Sequence, residues 1–304
     1  MSIELVVPEE VELECLLIEL RKLSWIAADV LKAYARGCKP PHGFPKALTV
    51  QEGGDGPVST ADIAINELLI SGLHEKFPLV NWDIFSEESS KEKKLNNFKN
   101  NVDWQWILDP LDGTKDFLQG SENYAVHLAL AYKRKPKIGI VLIPERDELW
   151  FGVMGKGAWS ENHKGIKTST SFSKRKEIGK LIHVSSKNHQ EKLLQDLLEE
   201  IRFGQTKNIG SVGCKVATIL RGESDVYISL SGKTSPKDWD MAAPHAVIEA
   251  AGGLFTHADG RSLNYENPNY SQRGCLIASH GKSHKDICEK IMNFLSKNES
   301  DYLV

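Results

Sequence analysis

No stretch of this 304-residue chain stays both apolar and uncharged for the roughly 20 residues that a membrane-spanning helix needs. Cysteine is sparse: five residues, at 15, 38, 214, 275 and 288, an odd number without a C-x-x-C pair. That pattern argues against a disulfide framework or a zinc ribbon and fits a reducing cytosol. Positive charge is not in excess. Lys and Arg number 38 against 41 Asp and Glu, a formal net charge of −3, with no general pull toward nucleic acid or an anionic membrane. The opening MSIELVVPEEVELE is acidic and carries no signal-peptide pattern. No internal repeat is present. The expectation is a cytoplasmic protein without nucleic-acid or membrane partners, its oligomeric state left open.

What is there is ordinary globular composition, 40% hydrophobic and 26% charged, enough for one or two domains. From Pro8 to Gly37, apolar residues such as Leu13, Leu16, Leu20, Leu23, Ala27 and Leu31 recur at helical spacing, and Gly37 can cap the end. The Gly/Pro-rich stretch 37–57 reads as loop or hairpin. Ser59 or Thr60 then caps a helix that stops before Pro78. VNWDIFSEES reads as a strand ending in Glu87 and Glu88, and WQWIL, 104–108, as a strand ending in Asp109 and Asp112. The charged run 90–101 between them reads as a solvated loop. YAVHLALAY, KIGIVLIP and ELWFGVM follow as strands of an antiparallel sheet. After about residue 178 the texture alternates: LIHVSS, DVYISLS and GCLIASH are strands, LFTHADG leads into one, and helices intervene. The chain therefore divides into an N-terminal α+β part, 1–175, and a C-terminal α/β part, 176–304, with a site expected in the cleft between them.

Four places put acidic residues where a core element ends. They are Glu87-Glu88, Asp109 and Asp112 in DPLDGT, Asp240 in DWDMAA, and Asp62 in STAD. Taken singly, each has an ordinary structural role: a turn with Asp side chains on backbone, a solvated loop, a helix N-cap, a first-turn acid. Their joint occurrence favours oxygen ligands around a hard cation, Mg²⁺ before Zn²⁺. Pro110 holds Asp109 extended, and the turn brings Asp112 back to the same side with the Leu111 carbonyl between them. Gly113 lets backbone approach a ligand closely, and Thr114 to Asp116 can open a helical turn whose N–H groups suit phosphate oxygens.

Glu87-Glu88-Ser89, Trp106-Ile107-Leu108-Asp109-Pro110-Leu111-Asp112-Gly113-Thr114 and Trp239-Asp240-Met241-Ala242-Ala243, followed by Ala251-Gly252-Gly253, resemble the inositol monophosphatase superfamily in order and spacing. The resemblance covers nearly the whole chain, most weakly before residue 45. It implies a layered αβαβα sandwich of the inositol monophosphatase/fructose bisphosphatase type and lithium-sensitive, Mg²⁺-dependent hydrolysis of phosphomonoesters. It further implies metal ligation by Glu87, Asp109, Asp112, Asp240 and the Leu111 carbonyl. Thr114, oriented by Asp62, would activate the attacking water. Gly113, Thr114 and Asp240 would contact the substrate.

The resemblance implies a small phosphate ester as substrate. Thr114-Lys115-Asp116 in the metal loop resembles the 3′(2′),5′-bisphosphate nucleotidase branch, which hydrolyses adenosine 3′,5′-bisphosphate to AMP and phosphate. Ser185-Ser186-Lys187-Asn188-His189 is similar to that branch's S-[RK]-x-H segment, and Lys215 matches a lysine that can face the second phosphate. His189 and Lys215 are accordingly expected substrate contacts. Two departures count against the branch. Gly210 to Lys215 holds one residue more than its Gly-Ser-Ser-Leu-Lys, and Ser229 stands where it has an arginine, which Lys233 or Lys237 could replace. An inositol monophosphatase or sugar bisphosphatase is the second reading. A non-catalytic metal- or nucleotide-binding regulator is a third.

Overall fold

The computed structural model describes residues 6–53, 56–92, 102–187, 192–231, 235–267, 269–298 and 302. His189, Lys233 and most of the run 90–101 lie outside the described residues. Helix α1 spans Leu13–Ala35. It starts later than Pro8, which instead opens a turn closed by the Val11 N–H on its carbonyl at 3.0 Å. Gly37, at φ 64°, follows the last turn in the left-handed conformation that ends helices. Strands β1 (Val50–Gly53) and β2 (Gly56–Ser59) pair as an antiparallel hairpin. They lead into α2 (Thr60–Lys76), whose N-cap is Ser59.

Seven strands form one sheet in chain order: β3 (Asp83–Ser86), β4 (Trp104–Asp112), β5 (Ala125–Tyr132), β6 (Lys135–Ile143), β7 (Glu148–Val153), β8 (Gly157–Glu161) and β9 (Lys167–Ser169). Short helices α3 (Glu87–Glu92) and α4 (Thr114–Leu118) flank β4. The sheet is not wholly antiparallel as the sequence suggests. β3 and β4 run parallel, whereas from β4 onward each strand pairs antiparallel with the next, across α4 between β4 and β5 and across short connections from β5 to β9. β8 and β9 escape sequence reading; the three residues of β9 are all exposed and too few to show alternation.

The second sheet has the order β11-β10-β12-β14-β13. It comprises β10 (Ile182–Ser186), β11 (Gln205–Ile209), β12 (Val226–Ser231), β13 (Leu254–His257) and β14 (Gly274–Ser279). Helices α5 (Lys192–Ile201), α6 (Val212–Leu220), α7 (Asp238–Ala250) and α8 (His284–Asn298) accompany it. Leu254–His257 is itself a strand rather than the lead into one. β11, QTKNI, is a polar edge that no hydrophobic pattern announces.

Three apolar clusters stack these elements into five layers. Leu16 and Leu20 of α1 and Ile65 and Leu69 of α2 pack on Trp106, Leu128 and Ile140. The opposite face of the large sheet, with Ile107, Ala129 and Val141, meets α6 and α7 through Val216, Ala242 and Val247. Those helices also meet Tyr227 and Leu276 of the second sheet. Leu194 of α5 and Ile291 of α8 cover its far face against Val226 and Ile277. The order is αβαβα. Helix α7 lies flush on β6 and β7: a Cβ at Gly139 would overlap the Ala243 carbonyl, and one at Gly152 the Val247 backbone.

Between the sheets the chain is pinned by Asp225, which is fully buried. Its carboxylate accepts from Arg175 Nε at 2.6 Å, the Ile182 N–H at 2.6 Å and the Ser173 hydroxyl, with His280 Nε2 at 3.4 Å. Burial opposes its charge, yet hydrogen bonds from His280, Arg175, Ile182 and Ser173 hold it well below the usual carboxylate range. Among the described residues no helix is long and apolar enough to cross a membrane.

Candidate active site

Helix α2 begins where its first turn can hold a carboxylate inside. Asp62 is 1% exposed, and its Oδ2 accepts from the Ser59 N–H at 2.8 Å and the Ser59 hydroxyl at 2.6 Å. Its Oδ1 accepts from Thr114 Oγ1 at 3.1 Å, 52 residues away in sequence. Thr114 Oγ1 is also 3.1 Å from the Leu111 carbonyl. The hydroxyl has one hydrogen for two acceptors, so it is fixed between them while its lone pairs face outward. Burial, aided by the charge of Glu88, pushes Asp62 up to about 6 against the hydrogen bonds from Ser59 and Thr114.

Asp109 and Asp112 lie inside β4, at a register shift opposite β5, and not in a turn beyond the strand's end. The irregularity lets both acids leave the pleat on one side. Leu111 donates its N–H to Asp109 Oδ1 at 3.0 Å. Gly113 then takes φ 93° and ψ 36°, a conformation strained for any other residue, and Thr114 opens α4. Asp240 arrives from the opposite direction, on the first turn of α7, with Oδ2 accepting from the Lys237 N–H at 2.6 Å.

One oxygen from each of Asp109, Asp112 and Asp240 falls within 4.8 Å of the others. Burial, then the charges of Glu87, Asp112 and Asp240, raise Asp109 well above the carboxylate range. Burial, then Asp112 and Glu87, push Asp240 up to about 8, against the Lys237 N–H. Asp109 and Asp240 thus resist ionising beside Asp112, and the group calls for a compensating positive charge. With only oxygen donors in the group, a hard divalent cation fits it. Glu87 stands outside the close trio but near enough for its charge to act on two of its members. Glu88, at 6% exposure, is buried.

Asp112 is held by residues that the sequence did not single out as site residues. Its Oδ2 accepts from the Ser211 hydroxyl at 2.6 Å and the Gly213 N–H at 3.2 Å, and His127 Nε2 lies 3.3 Å away. Ser211 adopts φ 38°, an outlier of the kind that clusters at functional sites. His127 pairs directly with Asp109 across β4 and β5, and its Nδ1 lies 3.4 Å from the Trp239 carbonyl. Burial pulls its pKa down, so the ring is neutral at pH 7.

The expected substrate contacts divide. Gly113, Thr114 and Asp240 gather at the trio. Lys215, on α6, is 3% exposed, with its ammonium 5.1 Å from the Tyr227 ring centroid. Burial pulls its pKa down while Asp112, Cys214, Asp116 and Asp240 oppose that. Lys187, at the end of β10, keeps 48% of its side chain exposed and puts Nζ 3.9 Å from Asp116 Oδ1.

The inositol monophosphatase family model matches residues 12–295. The 3′(2′),5′-bisphosphate nucleotidase CysQ of Escherichia coli strain K12 is 30% identical over 252 residues, covering 82% of this chain and 94% of that protein. A putative Nus factor SuhB of Neisseria meningitidis serogroup B is 30% identical over 230 residues, 74% of this chain and 80% of that one. The Thermotoga maritima IMPase superposes with a TM-score of 0.69 at 20% identity, covering 94% of this chain and 98% of that one. An IMPase/NADP phosphatase complexed with Mg²⁺ and phosphate gives 0.70 at 20% identity, over 91% and 95% of the two chains. With its carboxylates gathered where β4 meets the first turn of α7 and the family model matching nearly its whole length, the chain belongs to the inositol monophosphatase family of phosphoric monoester hydrolases.

Proposed function

We propose that this phosphatase is Mg²⁺-dependent and acts on a nucleoside 3′(2′),5′-bisphosphate, adenosine 3′,5′-bisphosphate foremost, releasing AMP and phosphate. The observation that carries the hydrolytic reading is the pairing of Thr114 and Asp62 beside the three close carboxylates. Asp109, Asp112 and Asp240, with Glu87 and the Leu111 carbonyl, would hold the metal. A divalent cation there supplies charge stabilisation and makes water a better nucleophile at neutral pH. The Thr114 oxygen accepts a proton from the attacking water as its own hydrogen passes to Asp62 Oδ1. A carboxyl pushed up to about 6 is matched to that exchange near neutrality. In this reading the site joins two halves, 1–175 with Asp109 and Asp112 and 176–304 with Asp240.

The likeness to the CysQ nucleotidases supports the substrate, as does Lys187 at Asp116. Lys187 is a cation with solvent access that a second phosphate would meet. Lys215, buried behind Asp116, adds positive potential, and His189 follows two residues after Lys187. Inositol phosphate is the second reading, favoured by Ser229 where the nucleotidase branch has an arginine. The test is phosphate release from adenosine 3′,5′-bisphosphate, inositol 1-phosphate and fructose bisphosphate, with and without Mg²⁺. Faster release from inositol phosphate overturns the nucleotide reading. No release from any of them supports a regulator instead.

A further inference from the structure

We infer that Tyr270 is a positioning residue for the acidic centre: its ring, stacked on Phe85, and its backbone, bonded to the start of α7, together hold the strand end that delivers Glu87 against the turn that delivers Asp240. This rests on Glu87 and Asp240 being metal ligands, as proposed above. Tyr270 lies in the connection between β13 and β14. Its φ is 56°, a backbone conformation that Gly and Asn adopt readily and a bulky side chain rarely does. Such outliers persist where the surrounding structure over-determines them, and Tyr270 is held from two sides.

On the backbone side, the Tyr270 carbonyl accepts from the Asp238 N–H at 2.8 Å, and the Pro236 carbonyl accepts from the Gln272 N–H at 2.8 Å. The two bonds flank an antiparallel bridge that sets Ser271 opposite Lys237. Gln272 adds a side-chain bond, from Nε2 to Asp238 Oδ1 at 2.7 Å. Lys237 is the residue whose N–H holds Asp240 Oδ2 at 2.6 Å, so the bridge fixes the donor that orients that carboxylate. On the side-chain side, the Tyr270 ring stacks on Phe85, with centroids 4.0 Å apart and planes inclined by 24°. Phe85 precedes Glu87 by two residues, near the end of β3. Trp239, next to Asp240, completes the group, its ring 5.4 Å from Phe85 and 5.9 Å from Tyr270. β3 is an edge strand with β4 on one side only, so the ring contact gives it a second hold. Aromatic pairs favour defined offset and tilted arrangements, so this hold sets a distance as well as covering apolar surface.

The experiment reads Mg²⁺ affinity by calorimetry, on variants that circular dichroism shows to be folded. Tyr270→Asn suits the backbone conformation and removes the ring. It should weaken Mg²⁺ binding roughly tenfold, the lower end of the cost of losing a residue that orients metal ligands. Tyr270→Phe, which keeps the ring, should bind Mg²⁺ like the unmutated protein. Phe85→Leu leaves the Tyr270 backbone untouched and should also weaken binding. The double variant Tyr270→Asn/Phe85→Leu should lose little more than the larger single loss, because both changes remove one shared contact. A ring that only stabilises the fold would lower the melting temperature and leave the Mg²⁺ affinity of the folded protein alone. Unchanged affinity in folded Tyr270→Asn, an equal loss in Tyr270→Phe, or additive losses in the double variant overturns the inference. If Tyr270→Asn does not fold, Phe85→Leu carries the test, and unchanged affinity there overturns it. Glu87→Gln and Asp240→Asn keep the two ideas apart: if either binds Mg²⁺ normally, the ligand assignment has failed. If both lose Mg²⁺ while Tyr270→Asn does not, only the role of Tyr270 has failed.

Discussion

The Thr114 hydroxyl and the Asp62 carboxylate meet at 3.1 Å across 52 residues of chain, joining the first turn of α2 to the first residue of α4. Thr114→Ala should lower kcat roughly 10²-fold or more, the range for a positioned proton-transfer group, with a smaller effect on Mg²⁺ affinity. Steady-state kinetics at saturating Mg²⁺ alongside calorimetry check this. Parallel loss of metal binding and turnover would make Thr114 a structural residue.

Asp112→Asn should nearly abolish phosphate release while preserving the fold, because the amide keeps the shape and removes the charge a hard cation requires. Near wild-type turnover at saturating Mg²⁺ would refute the assignment. Circular dichroism confirms that the variant is folded.

Asp240 gives a pH dependence with a definite sign. Its folded pKa, about 8, lies above the unsupported value of 3.8. Between those limits the folded state binds more protons than the unfolded one. In chelator, stability should therefore fall as pH rises from about 4 to about 8. Asp240→Asn should flatten that slope and melt above wild type at the alkaline end. Thermal melts across this window in chelator, then in Mg²⁺, test it; a variant that melts lower throughout contradicts it.

Lys187→Ala should reduce kcat/KM for adenosine 3′,5′-bisphosphate by roughly tenfold, the lower part of the range for a charge-assisted contact because the side chain is half-exposed. Hydrolysis of a monophosphate substrate should hardly change. Equal effects on both substrates would remove Lys187 from a second-phosphate site. Lys215→Ala should instead cost stability first, since burial and ring contact hold that side chain.

Asp225→Ala should destabilise the protein by about 1–3 kcal/mol or more, the cost of leaving the Ile182 N–H and the Ser173 hydroxyl without their acceptor, with the partly exposed Arg175 losing its counter-charge besides. Chemical denaturation measures it. A loss below about 1 kcal/mol would mean that the pin between the sheets is not structural.

The large elements were legible because their apolar residues repeat with the right period. α1, α2 and the strands from Tyr124 to Val153 all carry that signature, and the acids at their ends pointed to Asp62, Asp109, Asp112 and Asp240. The edges were not: β9 and β11 are exposed and polar, so pairing alone defines them. His127 was invisible for a different reason. Among the apolar residues of β5 it reads as a core histidine, and only the register that sets it opposite Asp109 brings it to the carboxylates. The burial of Lys215 was not legible either, since helical spacing does not reveal that α6 is sandwiched between two sheets.

Two hydrogen atoms, on the Cα atoms of Gly139 and Gly152, fix the thickness of the seam between α7 and the sheet beneath it. Asp240 rides on that helix, and Asp109 and Asp112 ride on that sheet. The seam therefore acts as a gauge block for the acidic centre, setting its spacing from contacts that lie along the helix and away from the carboxylates themselves. A single methyl group there would wedge the layers apart, and a displacement of about 1 Å can cost 10²-fold in rate. The tolerances of the reaction are thus machined into a part of the molecule that touches neither metal nor substrate.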